Sequence, residues 1–334
     1  MELISVRKDG EELGLLKVSG LDVDIGNSND FVITFSSADW AGNEVLTDAD
    51  YWYADGFGEI GGRIRCITSS TASKTVKASG QTWRGMLDKK IIEPDAGENY
   101  KVVSGEANQI LSQLITPRFG GFFVLPDKAT EFTIRSYQFK RYQSLLSGIV
   151  EMLYSVGAKL EINFIPGYFT AHTYTPGYVQ IEAVPIIDYS NEIEYSQDGK
   201  IDFTAKDYRM GVNHLICLGQ GELKDRQVIH LYVDSDGIIS DTQTQFGVDE
   251  IAEVYDYSSA ESLDELRSYG EARLKSLMDY KSLKISLNQI DAQIGDIVGG
   301  QEQITGITLK KQISNIIVKV DSKGKLTITH KVGD

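Results

Sequence analysis

The chain of 334 residues is poor in several residue types that would narrow its chemistry at once. Only 2 cysteines occur, Cys66 and Cys217, far apart in the sequence. That excludes the disulfide-stapled scaffold of a small secreted domain, and a chain this long buries enough surface to need no staples. Each cysteine sits in an apolar, strand-like run, so both are expected as buried free thiols. No apolar run approaches the roughly 18 residues of a membrane span. The opening Met1-Glu2-Leu3-Ile4-Ser5-Val6-Arg7 lacks the apolar centre of a leader, so neither membrane insertion nor secretion by a signal peptide is expected. Basic charge is also short. The formal net charge of −15 is spread along the chain, which excludes tight nucleic-acid binding by phosphate neutralisation but lets DNA pass without sticking. What is plentiful is tyrosine, at 17, and glycine, at 32, beside only 6 prolines. That balance fits strands and turns better than a helical or disordered chain.

Periodicity gives the organisation. Phe31, Ile33 and Phe35 alternate with polar neighbours, as do Arg63-Ile64-Arg65-Cys66 and Thr75-Val76-Lys77-Ala78, so the chain up to about Ser79 reads as an antiparallel β unit. Helical spacing follows. Ser104 can cap a helix burying Ile110, Leu111, Leu114 and Ile115, with Pro117 as its stop. A second helix buries Leu145, Leu146, Ile149, Leu153 and Val156 and ends at Gly157. Strands around Ile134, Ile162 and Ile181 alternate with these helices, so residues 89–198 form an α/β insertion. Strand patterns return from Ile201, interrupted by one helix that starts with a capping box at Ser258 and Glu261 and buries Leu263, Leu266, Leu274 and Leu277. A hairpin pairs Ile316–Val320 with Leu326–Thr329 around Ser322-Lys323-Gly324. The fold class is α+β, mainly β, in three stretches: a β domain at 1–88, the α/β insertion at 89–198 and a second β domain at 199–334.

No catalytic inventory assembles from these residues. His172, His214, His230 and His330 are scattered, and none pairs with another ligand at metal-site spacing. His214 and His230 lie on successive strands and could come close in space, although a hydrogen-bonded strand histidine is the simpler account of each. No nucleophile elbow or phosphate-cradling glycine loop occurs. Asp234 and Asp236 in Val-Asp-Ser-Asp-Gly form half a calcium loop without its remaining ligands, so a β-turn is expected there. A glycosidase-type acid pair could hide among the 48 carboxylates, but nothing local marks one. Tyr51, Trp52 and Tyr53, with Trp40 and Phe57 nearby, are read as rings packed into an assembly interface; a sugar-stacking platform is the other reading. No catalytic, cofactor-binding or metal-binding residue is expected, and no enzyme activity.

Two stretches carry a family resemblance. Gly61-Gly62-Arg63-Ile64-Arg65-Cys66-Ile67 leads into Thr75-Val76-Lys77-Ala78-Ser79-Gly80-Gln81-Thr82-Trp83-Arg84-Gly85-Met86-Leu87-Asp88-Lys89-Lys90-Ile91-Ile92-Glu93-Pro94. Near the end stand Ile294-Gly295-Asp296-Ile297-Val298-Gly299-Gly300 and Gln303-Ile304-Thr305-Gly306-Ile307-Thr308. Together they resemble the siphovirus Gp37-like phage tail proteins, which are similar to the trimeric baseplate hubs of contractile tails. The resemblance implies two β-barrel-like tube domains per chain, a homotrimeric ring joining the tail tube or distal tail protein to a tip or spike protein, and a lumen passing tape measure protein and DNA in transit. It implies a virion tail component assembled in the host cytoplasm, with no membrane partner. Ending at Asp334, the chain is expected to be a bare hub without a lytic extension. The alternative is a carbohydrate-binding or glycan-cleaving tail-tip protein using the Tyr51–Tyr53 rings and a carboxylate pair.

Overall fold

The computed structural model describes residues 1–40, 51–171, 173–190, 201–288, 292–301 and 308–332. His172, residues 303–307 of the second family-like stretch, and the expected boundary at 198/199 lie outside them. In chain order the longer elements are β1 (Leu3–Val6), β2 (Glu12–Leu15), β3 (Gly20–Ile25), β4 (Asp30–Ser36), β5 (Tyr51–Ala54), β6 (Gly61–Ser70), β7 (Thr75–Thr82) and α1 (Trp83–Asp88). Then come β8 (Val102–Glu106), α2 (Ala107–Phe119), β9 (Thr133–Gln138), α3 (Leu145–Tyr154), β10 (Ala158–Ile165) and β11 (Tyr178–Pro185). The remainder is β12 (Ile201–Tyr208), β13 (His214–Leu218), β14 (Val228–Val233), β15 (Ala252–Asp256), α4 (Leu263–Leu277), β16 (Tyr280–Asn288), β17 (Ile297–Gln301), β18 (Thr308–Val320) and β19 (Leu326–Val332). Among the described residues no helix is long and apolar enough to cross a membrane. The chain divides into two compact units, Met1–Asp202 with Ile285–Gly300 and Leu309–Asp334, and Phe203–Lys284 with Gln301–Thr308.

The first unit is organised by one long sheet whose strands run β16–β19–β18–β3–β4–β7–β6–β5–β1–β2, with β17 on β18. Strands from the first expected stretch therefore share a sheet with strands from the last, joined where β3 pairs with β18. The expected C-terminal hairpin is present, with Val320 opposite Leu326 and Gly324 at φ +78°. Alternation turns Val23, Ile25, Phe31, Ile33, Phe35, Val76, Ala78 and Val318 to one face, where Leu3, Trp52 and Ala54 from the other end of the sheet join them. The sheet thus curls around a common apolar filling. Among the described residues β2 pairs only with β1, so the strand order is an open path rather than a closed barrel.

A second layer of helices and strands covers part of the sheet's other face. Trp83 and Leu87 of α1, Ile110, Leu111 and Leu114 of α2, Ile149 and Leu153 of α3, and Leu160, Ile162, Val179 and Ile181 of β10 and β11 form one buried cluster. Helix α2 corrects two sequence expectations. Its N-cap is Glu106, whose carboxylate accepts from Asn108 N at 3.0 Å and Gln109 N at 2.8 Å, because Ser104 is still within β8. Pro117 lies inside the helix, which runs on to Gly120 at φ +63°; Arg118 Nη1 donates to Leu114 O at 2.6 Å. Helix α3 falls where the periodicity placed it but ends at Tyr154 with Ser155 as its C-cap; Gly157, at φ +75°, closes the turn that follows.

The second unit has its own sheet, in which β13 pairs antiparallel with β14 and parallel with β15. Helix α4 covers one face, packing Leu266 and Leu274 with Leu215, Cys217, Leu231 and Val233. Gly270 permits that approach, since a Cβ there would stand 2.6 Å from Cys217 Sγ. The capping box sits one turn later than the sequence suggested. Ser262 Oγ accepts from Glu265 N at 3.1 Å and Glu265 Oε2 from Glu261 N at 2.8 Å, because Ser258–Ala260 are spent on a turn that buries Ala260. Leu263, the first residue of the helix, is exposed rather than part of the buried stripe.

Candidate functional site

The rings expected at an interface are placed mostly inside the chain. Strand β5 is buried on both sides: Trp52, fully buried, faces the sheet filling, with its ring edge-on to Phe31 at 5.0 Å, while Tyr51 and Tyr53 face the helical layer. Tyr51 stacks on Phe122 at 4.3 Å, and Tyr53 on Phe164 at 4.4 Å. Tyr53 Oη donates to Glu12 Oε1 at 2.8 Å, and burial together with that carboxylate pushes the phenol's pKa upward. Trp40 and Phe57 are half-buried against the sheet filling, Trp40 edge-on to Phe35 at 5.7 Å. Each fully buried indole removes on the order of 200 Å² from water, worth about 5 kcal/mol before entropy, so these rings hold the two layers together. The Tyr51–Tyr53 strand offers no face to a partner or a sugar in this chain.

The residues carrying the family resemblance occupy structural joints. A Cβ on Gly80 would overlap the Arg63 carbonyl and one on Gly62 the Gln81 carbonyl, so β6 and β7 approach through glycine. Behind them Trp83 is fully buried, and Arg84 is tied to Glu59 and donates to Leu160 O at 3.0 Å. Burial raises the Glu59 carboxyl despite the opposing pull of the Arg84 guanidinium. At the other stretch Asp296, 1% exposed, accepts from Lys159 Nζ at 2.7 Å, Ile187 N at 2.9 Å and Gln293 N at 2.9 Å. Nothing local in the sequence marked Lys159 or Glu59; both become partners only through the fold.

Over β18, β3, β4, β7 and β6 none of the described residues covers the sheet face opposite the apolar filling. The registers align Thr327, Lys319, Asp22, Val32, Ser79 and Cys66 in one row. Thr34, Lys77 and Thr68 form a second row, and Ser36, Thr75 and Ser70 a third. All are exposed or half-buried. This polar, hydroxyl-rich surface includes a shallow trough of about 660 Å³ where Asp22, Asp24 and Asp30 interleave with Lys77 and Lys319. Lys319 Nζ reaches Asp22 Oδ2 at 2.9 Å. Cys66 lies on this face and is exposed, against expectation: a bulge between Ile64 and Cys66 adds a residue and turns the thiol outward. Cys217 is buried as expected, and burial pushes its thiol up to about 11.

In the second unit the two histidines placed on successive strands by the sequence do come together. His214 Nε2 is 2.8 Å from His230 Nδ1, and His214 Nδ1 is 2.6 Å from Glu250 Oε1. Asp234 and Asp236 form the expected turn: Asp234 Oδ1 accepts from Asp236 N and Ile238 N, both at 2.9 Å. Among the described residues no group of three or more His, Cys, Asp or Glu side chains is placed to hold a metal ion.

No family model and no curated protein matches the chain. Solved structures similar to it include phage tail proteins and baseplate components. One is the tail protein from Neisseria meningitidis MC58, 13% identical over 100% of this chain and 96% of that one, with a TM-score of 0.47. Another is the 43 kDa tail protein of prophage MuSo2 from Shewanella oneidensis, 13% identical over 99% of this chain and 97% of that one, with a TM-score of 0.48. A chain of the phage P2 baseplate in its activated conformation with Ca is 12% identical over 100% of both chains, with a TM-score of 0.47.

Proposed function

We propose that the chain is a structural protein of a phage or phage-like tail, placed at the tail hub. Copies of it form a trimeric ring between the tail tube and the tip or spike, and tape measure protein and DNA pass through. In this reading residues 1–88 and 199–334 supply the tube domains and 89–198 the insertion between them. The observation that carries the reading is the polar face over β18, β3, β4, β7 and β6, uncovered among the described residues; the outer edge of β2, which among the described residues pairs only with β1, supports it. A hydroxyl-rich wall with interleaved Asp and Lys keeps water bound and offers no net-basic surface to grip phosphates. An unpaired strand edge is the element that a neighbouring copy completes in a closed assembly. The family-like stretches support the same reading, since their glycines and Asp296 hold this sheet and its second layer together. The carbohydrate alternative loses its named site, because Tyr51, Trp52 and Tyr53 are interior.

The test is the mass of the purified chain by light scattering across a concentration series, with electron micrographs of the same samples, alone and with its tail-tube neighbour. A ring of three copies is expected. A chain that stays single under all these conditions would overturn the hub assignment.

A further inference from the structure

We propose that His214 and His230 form a binding site for one divalent transition-metal cation of the zinc, nickel or copper class, on the sheet face of the second unit that α4 leaves uncovered. The site lies wholly within that unit and is independent of the hub assignment. Two imidazole nitrogens, His214 Nε2 and His230 Nδ1, face each other at 2.8 Å from neighbouring strands. Glu250 Oε1, 2.6 Å from His214 Nδ1, takes that nitrogen's proton as a hydrogen bond and so leaves the lone pair on Nε2, aimed at His230. A carboxylate behind the imidazole is the arrangement that fixes the tautomer and ring plane of metal-bound histidine. The Tyr232 ring, stacked at 4.4 Å, holds His214 from the side.

The geometry needs little change to accept an ion. Metal–nitrogen bonds of about 2.0–2.1 Å in tetrahedral array put two ligand nitrogens roughly 3.4 Å apart, about half an ångström wider than the present pair. His214 is 8% exposed and anchored, whereas His230 is exposed and can give way. On binding, the proton that His230 Nδ1 shares with His214 moves to His230 Nε2, so the ring stays neutral and presents Nδ1 to the metal. Ile216 and Val254 share the row of His230, so no lysine or arginine stands in that row to repel a cation. Two protein ligands leave the remaining positions to water, which makes an open site of moderate affinity.

The test is equilibrium dialysis of the tag-free full chain against Zn²⁺ or Ni²⁺ alone. One ion per chain is expected in the micromolar range. His230→Ala should weaken binding at least tenfold and Glu250→Gln about 10–100-fold, as loss of an orienting carboxylate does, while His172→Ala leaves it unchanged. Imidazole nitrogen NMR of the unsubstituted chain reads the same site without any question of folding. Zn²⁺ should shift the His214 and His230 signals and leave those of His172 and His330 in place. Absence of binding up to millimolar ion, wild-type affinity in His230→Ala, or shifts confined to other histidines would each overturn the site and leave a proton-sharing structural pair.

Discussion

Replacing Asp296 by alanine should remove a large part of the stability of the first unit. The carboxylate is 1% exposed and its partner ammonium on Lys159 has a side chain 5% exposed. Truncation strands that ammonium in the interior and takes the acceptor from two backbone donors, Ile187 N and Gln293 N. Breaking a buried ion pair from one side costs about 3–5 kcal/mol, and an orphaned buried donor about 1–3 kcal/mol. These losses overlap, so about 4–6 kcal/mol is expected, against a typical domain stability of roughly 5–15 kcal/mol. Lys159→Met alone should cost less, about 1–3 kcal/mol, because the carboxylate keeps its two amide donors. Adding Lys159→Met to Asp296→Ala should restore about 2 kcal/mol by removing the stranded charge. Urea unfolding followed by tryptophan fluorescence reads this unit alone, since the 3 tryptophans, Trp40, Trp52 and Trp83, all lie within Met1–Asp202. An Asp296→Ala variant within about 1 kcal/mol of wild type, or no recovery in the double variant, would refute the reasoning.

Three further outcomes follow from named contacts. Glu106→Ala should cost about 2–3 kcal/mol in urea unfolding, combining a lost N-cap with two donors of Thr130, its N–H at 2.8 Å and its hydroxyl at 2.5 Å. Burial acts to raise the Glu106 carboxyl, but the bonds from Thr130, Asn108 and Gln109 prevail and lower it, so its stabilisation is full above the ordinary glutamate value of about 4.3. The gap between wild type and Glu106→Ala should therefore close as pH falls through the lowered folded value, which unfolding curves in acid will show. Gly80→Ala should part β6 from β7 at a cost of about 3 kcal/mol or more, visible as loss of amide-exchange protection in both strands. Thiol titration of the folded chain should count Cys66 alone, with Cys217 appearing only in denaturant; a Cys217 that reacts in the folded chain would contradict its burial.

Much of this fold is written in alternation, and what is not depends on register and on which faces are covered. Phe31, Ile33 and Phe35 declare their strand because one side is buried and the other wet. Helix α3 declares itself through a one-sided apolar stripe and Gly157. Cys66 misleads, because an inserted residue at a bulge reverses the facing and leaves no mark in the polar–apolar pattern. Tyr51-Trp52-Tyr53 misleads for another reason: a strand covered on both sides is apolar at every position, which also describes an exposed sticky one. His214 and His230 sit 16 residues apart, and only the cross-strand diagonal, with His214 opposite Tyr232 and Ile216 opposite His230, brings their rings together. Lys159 and Asp296, 137 residues apart, are likewise joined by topology alone.

Cys66 gives the most direct measurement of the central claim that the uncovered face of the long sheet lines a conduit. The thiol is exposed on that face, and Cys217 is buried, so labelling of the native chain reports one position. Oligomers and dissociated chains would be treated with iodoacetamide and, separately, with a bulky maleimide–polyethylene glycol. In the assembled ring, iodoacetamide should react freely while the bulky reagent reacts many-fold more slowly than it does on the dissociated chain. Equal reaction of the bulky reagent with both forms would place Cys66, and the polar face it marks, on the outside and contradict the conduit.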